Sequence, residues 1–363
     1  MTHLNTSVFF YLVLLFCIPR NTSAQRTPAP NLPTVDQELA GFNIDSLNVL
    51  ESIIANTEHK DFTGLVVIKD HKLVVEWYYN TYWRNQILDI RSAGKSITSL
   101  LLGVAIKEGL VQNLEQNVYS FFPKEKYPDI NEDYKRVKIS HLLDMSSGLD
   151  ADSNDGQTPG HVGHWAGRDE WVEYILTIPL ANEPGEKWLY ADINAALIGA
   201  IIEETSGLSL RDFAKNKVFE PLGITQFYWY TNAANQTIAA GTLYLTTLDF
   251  AKLGVLVANN GKWSNEQIVD PNYIKELIAR KTSDLTSYWE LTDSYGMLWY
   301  KKRRTVNGNN FDYLWASGRG GNQLIVIPDE NMVIALTSTA YGPNYGHTRA
   351  YAFLTHLFSA IEK

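Results

Sequence analysis

Cysteine is nearly absent from this chain. Among 363 residues there is one, Cys17, and it lies inside an apolar N-terminal run. A chain cleaved behind that run carries no thiol, which excludes a cysteine nucleophile, thiolate-bound zinc and a disulfide scaffold. Basic charge is also scarce: 31 Lys and Arg stand against 40 Asp and Glu, a formal net charge of −9, with no basic run to offset it. Such a surface repels phosphate backbones, so nucleic acid is not expected as a partner. Long apolar runs are missing as well. The run at 8–18 is too short to span a bilayer, and Thr22-Ser23-Ala24 behind it suits signal-peptidase cleavage before Gln25. We therefore expect a signal peptide over 1–24 and an exported protein, periplasmic or secreted, with no membrane span once the signal is removed. Two details depart from the usual pattern. The segment before the run has no Lys or Arg, and the bulky Phe16 ahead of Cys17 argues against lipoprotein processing.

With 45% hydrophobic and 20% charged residues, what remains can build a large core. Three prolines in 25–35 mark a linker, taken here as 25–40. Helical periodicity over 41–57 is followed by two β-rich runs at 64–68 and 72–78, separated by Lys69-Asp70-His71, a hairpin signal. From 91 to 240 the pattern is mainly helical with long loops, including helices expected over 139–149, 169–178 and 194–205. Strands return at 295–300, 322–327 and 332–336, interleaved with helices over 248–259, 271–280 and 349–361. Strands from both ends of the chain most simply share one antiparallel sheet. The expected fold class is α+β, with residues 41–90 and 241–363 forming a sheet domain flanked by helices and 91–240 an inserted, mainly helical domain.

The stretch that organises the rest is Ser92-Ala93-Gly94-Lys95, at the start of an apolar helical pattern that Gly109 ends. Ser92 and Lys95, three apart on one helical face, bring an amine to a hydroxyl. A serine hydroxyl is a weak nucleophile, and a lysine accepts its proton only if burial lowers the ammonium pKa, which the surrounding Ile97, Leu100, Leu101 and Val104 favour. The same residues have a plainer reading, Ser92 as a helix cap and Lys95 as a solvated side chain.

Two further stretches decide between these readings. Tyr190-Ala191-Asp192 stands just before a helical pattern, and Trp315-Ala316-Ser317-Gly318-Arg319-Gly320-Gly321 runs straight into a strand. Around them, in order, stand His141 through Leu149, Pro184-Gly185, Phe219-Glu220-Pro221-Leu222-Gly223, Ala240-Gly241 and Tyr295-Gly296. As an ordered set, from about Phe62 to Ser338, these resemble the serine β-lactamase and penicillin-recognising family, in the class C-like branch that contains carboxylesterases and 6-aminohexanoate-dimer hydrolases. The resemblance implies a β-lactamase/transpeptidase-like fold and a serine hydrolase acting on a small-molecule ester or amide through an acyl-enzyme. Ser92 is then the nucleophile, and Lys95 and Tyr190 share proton transfer. The oxyanion hole falls to the backbone N–H groups of Ser92 and Arg319, with Asp192, Ser317 and Gly318 in support. It implies no metal and no organic cofactor.

The chain departs from the family pattern twice. The second motif ends in Asp192 where Asn is usual, and an acceptor-only carboxylate there favours a Lys95 ammonium and places more of the base work on Tyr190. The third motif opens with Ala316 where β-lactamases and penicillin-binding proteins carry a cation for a substrate carboxylate. Both changes favour an esterase or amidase. The alternatives are a penicillin-binding, D-amino-acid peptidase or β-lactamase activity, and a non-catalytic binding protein on the same fold. Asp150 to Gly156 has the start of a calcium loop but Asp155 at its glycine position, and His161 and His164 lack a third ligand for zinc.

Overall fold

The computed structural model describes residues 32–362. The expected signal peptide and residues 25–31 of the expected linker lie outside the described residues. The remaining linker residues run beside the sheet, where Val35 N–H donates to Leu73 O at 3.1 Å and Leu73 N–H to Pro33 O at 2.8 Å.

Two short runs rich in β-branched residues, β1 (Phe62–Lys69) and β2 (Lys72–Tyr78), form a hairpin whose turn residues Asp70 and His71 both take left-handed φ, 51° and 60°. That turn geometry matches the twist of the strands it joins. Smaller strands follow: β3 (Leu88–Asp89), β4 (Tyr228–Trp229) and β5 (Leu243–Leu245) make a three-stranded sheet, and β6 (Lys262–Trp263) and β7 (Glu266–Gln267) a hairpin. The C-terminal part supplies β8 (Ser283–Asp284), β9 (Ser294–Gly296), β10 (Trp299–Val306), β11 (Asn309–Gly318), β12 (Asn322–Ile327) and β13 (Met332–Ser338). Strands from both ends join in one eight-stranded antiparallel sheet, in the order β2-β1-β13-β12-β11-β10-β9-β8.

The central strands are apolar on both faces, the mark of a sheet covered on both sides. Val66, Leu324, Val333 and Ala335 face one core, while Leu65, Ile325, Ile334 and Leu336 face the other. Helix α1 (Ile44–Ala55) and the C-terminal α10 (Tyr345–Ser359) cover the second face through Leu50, Phe353 and Phe358. The first face packs on α8 (Thr247–Ala258), whose Gly254 admits Val333: a Cβ there would lie 2.5 Å from the valine Cγ1.

Between the two sheet contributions, the chain is mainly helical. Helix α2 (Gly94–Lys107) and α6 (Asp192–Ser206) form its centre, with the short helices α3 (Ile139–Leu143), α4 (Val162–Trp165), α5 (Trp171–Ile175) and α7 (Leu210–Ala214) around them and α9 (Pro271–Ala279) beyond. Helix α2 is buried all round from Gly94 to Ala105, so its polar residues are not a solvated stripe. Ser96 donates to Leu298 O at 2.6 Å, Thr98 to Ala239 O at 2.8 Å, and Ser99 shares a 2.7 Å hydrogen bond with the Tyr273 hydroxyl.

Three expected elements differ. The helix expected over 139–149 is only Ile139–Leu143, with Met145 beyond it held at φ 54°. The helix expected over 169–178 is only Trp171–Ile175. The strand expected over 295–300 is two strands, β9 and β10, joined by a turn at Met297 and Leu298 with φ of 60° and 61°. Leu298 N–H donates to Leu143 O at 2.7 Å, and Met297 N–H to Asp144 Oδ1 at 3.2 Å. Contacts from distant parts of the chain thus hold an apolar pair in a conformation its residue types disfavour. Among the described residues no helix is long and apolar enough to cross a membrane.

Candidate active site

Ser92 sits at the junction of a strained residue and a helix start. Arg91, directly before it, has φ 56°, a left-handed conformation that costs a non-glycine residue on the order of 1 kcal/mol or more. Neighbours hold it there. Asp89 Oδ1 accepts from Arg91 N–H at 2.8 Å, Asp89 Oδ2 lies 3.3 Å from the guanidinium, and that guanidinium stacks 4.0 Å above the Tyr341 ring. The Tyr341 hydroxyl closes the set by donating to Asp89 O at 2.9 Å. Ser92 then lies in a 3₁₀ turn, Arg91–Ala93, that leads into α2. Its N–H thereby belongs to the electropositive end of a helix.

Lys95, one turn on, is 2% exposed. Its ammonium donates to Ser92 Oγ at 3.1 Å and Ala240 O at 2.6 Å and pairs with Asp192 Oδ1 at 2.6 Å, so three acceptors meet three N–H bonds. The Tyr190 ring centroid lies 5.1 Å from Nζ. Burial alone pushes the ammonium towards neutrality, but Asp192 and Tyr190 beside it outweigh burial and hold the Lys95 pKa above its ordinary value. This corrects the expectation that apolar surroundings would release a neutral amine: Lys95 is a cation donating towards Ser92.

Tyr190 and Asp192 are set by the start of α6. Ala191 is extended, with φ −138° and ψ 125°, and offers no side-chain cap, so Asp192 opens the helix directly. Leu189 N–H binds Met145 O at 2.8 Å, anchoring the approach to this segment. A residue that the motifs do not single out completes the arrangement: Ser153, whose hydroxyl donates to Asp192 Oδ2 at 2.8 Å. No sequence pattern marks it, since it stands in an Asp- and Asn-rich loop.

The third motif arrives on β11. Beyond Trp315, which pairs with Tyr300, β11 has no partner on the β10 side, while its pairing with β12 continues to Gly318 opposite Asn322. Gly318 is where β11 meets the turn that bears Ser92. A Cβ there would lie 2.0 Å from Ile90 O and 3.3 Å from Ala93 N. Only a glycine lets the two backbones approach so closely. Ser317 is half-buried beside it and Ala316 fully buried. Arg319 follows with an exposed side chain whose Nη2 lies 3.5 Å from Gly342 O. Buried Asn322 fixes the turn by donating to Arg319 O at 2.9 Å and Ser338 O at 3.0 Å.

Aromatic side chains line up beside Tyr190. Trp188 meets Tyr190, Tyr288 and Tyr295 at centroid distances of 6.3, 4.8 and 5.8 Å, and Tyr288 is 56% exposed. Two nearby cations are already engaged, Lys95 by Asp192 and Arg91 by Asp89, whereas the exposed Arg319 guanidinium lies 3.5 Å from Gly342 O, a carbonyl rather than a carboxylate. The two histidines of the loop serve local structure. His161 Nδ1 accepts from Gly163 N–H at 3.1 Å, and His164 Nε2 hydrogen-bonds Gly156 O at 2.9 Å.

The family model described as Beta-lactamase matches residues 53–356. The N-acetylmuramyl-L-alanine amidase of Bacillus subtilis (strain 168) is 27% identical over 236 residues, 58% of this chain and 53% of that protein. The chain spans about half the length of the curated relatives it matches. Among solved structures, a family VIII carboxylesterase gives a TM-score of 0.68 at 14% identity, over 87% of this chain and 96% of that one. The octameric penicillin-binding protein homologue from Pyrococcus abyssi gives 0.63 at 22% identity, over 85% and 77%. At these identities the two structures speak to the fold alone, which is β-lactamase/transpeptidase-like.

Proposed function

From the premise that this chain belongs to the beta-lactamase family, a family of serine hydrolases, we propose that it cleaves ester or amide bonds of small acyl substrates through an acyl-enzyme on Ser92. The observation that carries the reading is the buried Lys95 ammonium, 3.1 Å from Ser92 Oγ and flanked by Tyr190. In this reading Tyr190 reacts as its phenolate: Ser92 Oγ attacks the acyl carbon as its proton passes to the Tyr190 oxygen, and the Lys95 ammonium stabilises the charge developing on Oγ. The Ser92 and Arg319 N–H groups receive the carbonyl oxygen as it becomes an oxyanion. Tyr190 returns the proton to the leaving oxygen or nitrogen as that bond breaks. Water then attacks the acyl-enzyme, giving its proton to Tyr190, and Tyr190 passes that proton to Ser92 Oγ as the acyl bond breaks, releasing the acid and free Ser92.

Ester or simple amide substrates fit better than peptides or β-lactams with a free carboxylate. The position that would bear a carboxylate-binding cation is Ala316, Arg91 and Lys95 are paired with carboxylates, and the side next to Tyr190 is aromatic, which leaves the exposed Arg319 as the cation through which a carboxylate substrate would have to be held. Export belongs to the same reading and is checked by the N-terminus of secreted protein, expected at Gln25.

The test is the intact mass of wild type and Ser92→Ala after exposure to a fluorophosphonate, a short p-nitrophenyl ester and a penicillin. One fluorophosphonate adduct on wild type only, with ester turnover, is the expected result. Penicillin turnover or a stable penicilloyl adduct with no ester turnover supports the penicillin-binding alternative. No adduct and no turnover in folded protein overturns the catalytic reading and favours a binding protein on this fold.

A further inference from the structure

The Asp-rich loop before α4 has the composition of a cation site, yet the carboxylates of Asp152 and Asp155 are occupied by the loop itself. Asp152 Oδ1 accepts from Asn154 N–H at 2.8 Å, and Asp155 Oδ1 from Gln157 N–H at 2.9 Å. Thr158 Oγ1 joins the two turns, accepting from Asp152 N–H at 3.0 Å and donating to Asp155 O at 3.0 Å. The loop is also bolted to the fold. Asp150 N–H donates to Pro179 O at 2.9 Å, Gly160 N–H to Asp150 O at 3.0 Å, and the indole of fully buried Trp165 to Gly160 O at 3.1 Å. Such cross-linking gives a short loop the rigidity of a regular element.

What this platform carries is Ser153. Its N–H donates to Tyr190 O at 3.0 Å, its Oγ accepts from Asp192 N–H at 2.9 Å, and its O–H donates to Asp192 Oδ2 at 2.8 Å. The roles are unambiguous, because a carboxylate can only accept and an amide N–H can only donate. Helix α6 lacks a side-chain cap of its own, so a hydroxyl from 39 residues earlier in the chain takes that place. With Oδ2 held by Ser153, Asp192 presents Oδ1 to Lys95.

We propose that Ser153 is a positioning residue for the reaction: it clamps the Tyr190 backbone and the Asp192 carboxylate together, so that Asp192 keeps the Lys95 ammonium aimed at Ser92 Oγ. The proposal rests on the acyl-enzyme reading. Ser153 touches no reacting atom and acts through Asp192 and Tyr190. A serine serves because its single hydroxyl accepts from the helix and donates to the carboxylate at once, and an alanine can do neither.

The experiment measures the rate of fluorophosphonate adduct formation, and kcat and KM for a p-nitrophenyl ester, in wild type, Ser153→Ala, Ser153→Thr, Asp192→Asn and the Ser153→Ala/Asp192→Asn double variant, each checked for a wild-type thermal melt. We expect Ser153→Ala to lower kcat and labelling rate by roughly 10- to 100-fold with KM changed by less than about twofold. Ser153→Thr, which keeps the hydroxyl, recovers most of the loss. In the Asp192→Asn background, Ser153→Ala costs less than about threefold, because the group it acts through has already changed. Labelling of Ser153→Ala within about twofold of wild type overturns the proposal, as does a loss that Ser153→Thr fails to rescue or that is fully additive with Asp192→Asn. A wild type that forms no Ser92 adduct overturns the acyl-enzyme reading and the clamp with it, and only that outcome touches both.

Discussion

Lys95 Nζ lies 2.6 Å from Asp192 Oδ1 and 3.1 Å from Ser92 Oγ, so the lysine is bound more closely to the carboxylate than to the serine hydroxyl. Both charges are largely out of water, and each is tolerated because of the other. In the proposed acyl-enzyme reading the pair makes Lys95 an electrostatic and hydrogen-bonding group and assigns the serine proton to Tyr190.

Replacing Asp192 with Asn removes the negative charge that does most to keep Lys95 protonated, while burial still opposes the ammonium. In wild type the lysine is held above its ordinary pKa, so activity that needs the ammonium survives into alkaline solution. In Asp192→Asn the alkaline limb of kcat/KM for a p-nitrophenyl ester should move down by roughly 1–3 pH units. A profile superimposable on wild type would show that the Lys95 charge does not limit the reaction.

Gly318 tests the junction between the third motif and the nucleophile. In Gly318→Ala the new methyl would lie 2.0 Å from Ile90 O, a backbone atom that cannot rotate aside. The strand and the turn bearing Ser92 must separate, which we expect to cost ~2–4 kcal/mol and to slow fluorophosphonate labelling by at least about tenfold. Chemical denaturation and labelling kinetics together check this. Wild-type values in both would mean that the two backbones are free to part without consequence.

How much of this was legible beforehand differs by residue. The hairpin at Asp70 and His71 and the Ser92, Tyr190 and Ser317-Gly318 stretches are local signals, because residue type and short spacing carry them. The protonation of Lys95 was only half legible: burial and Asp192 act with opposite signs, and their balance is a matter of the 2.6 Å between two elements. Ser153 was missed because its partners Tyr190 and Asp192 stand 37 and 39 residues away and no spacing rule joins them. The turn at Met297 and Leu298 was hidden by its apolar residues, since Leu143, Asp144 and Ser96 hold it from elsewhere.

Trp188 is the test of the aromatic side of the site. It stands two residues from Tyr190 and packs edge-on against half-exposed Tyr288 at 4.8 Å. If this wall receives the apolar part of the substrate, Trp188→Ala should raise KM for an aryl-acyl ester about tenfold and leave that for an acetyl ester nearly unchanged. An equal effect on both esters would place the wall outside the substrate's reach and reduce Trp188 to packing.

Glu203 gives a pH-dependent stability that can be separated from catalysis. It lies near the end of α6 remote from Asp192, and its Oε1 accepts from Leu210 N–H at 2.8 Å and Thr237 N–H at 3.0 Å. Burial raises its carboxyl pKa to about 7, against the lowering effect of those two donors. Because the folded pKa is above the unfolded value, the native chain holds a proton that the unfolded chain has released between about pH 4.5 and 7. Stability therefore falls as pH rises through that window, and the whole deficit is present above it. Glu203→Gln keeps a carbonyl acceptor for both amides and removes the ionisation. It should unfold at higher denaturant concentration than wild type at pH 8, by on the order of 1–3 kcal/mol, and the gain should nearly vanish at pH 4. An equal gain at both pH values would mean that the carboxyl does not titrate across this window, and that the two backbone donors hold it ionised despite its burial.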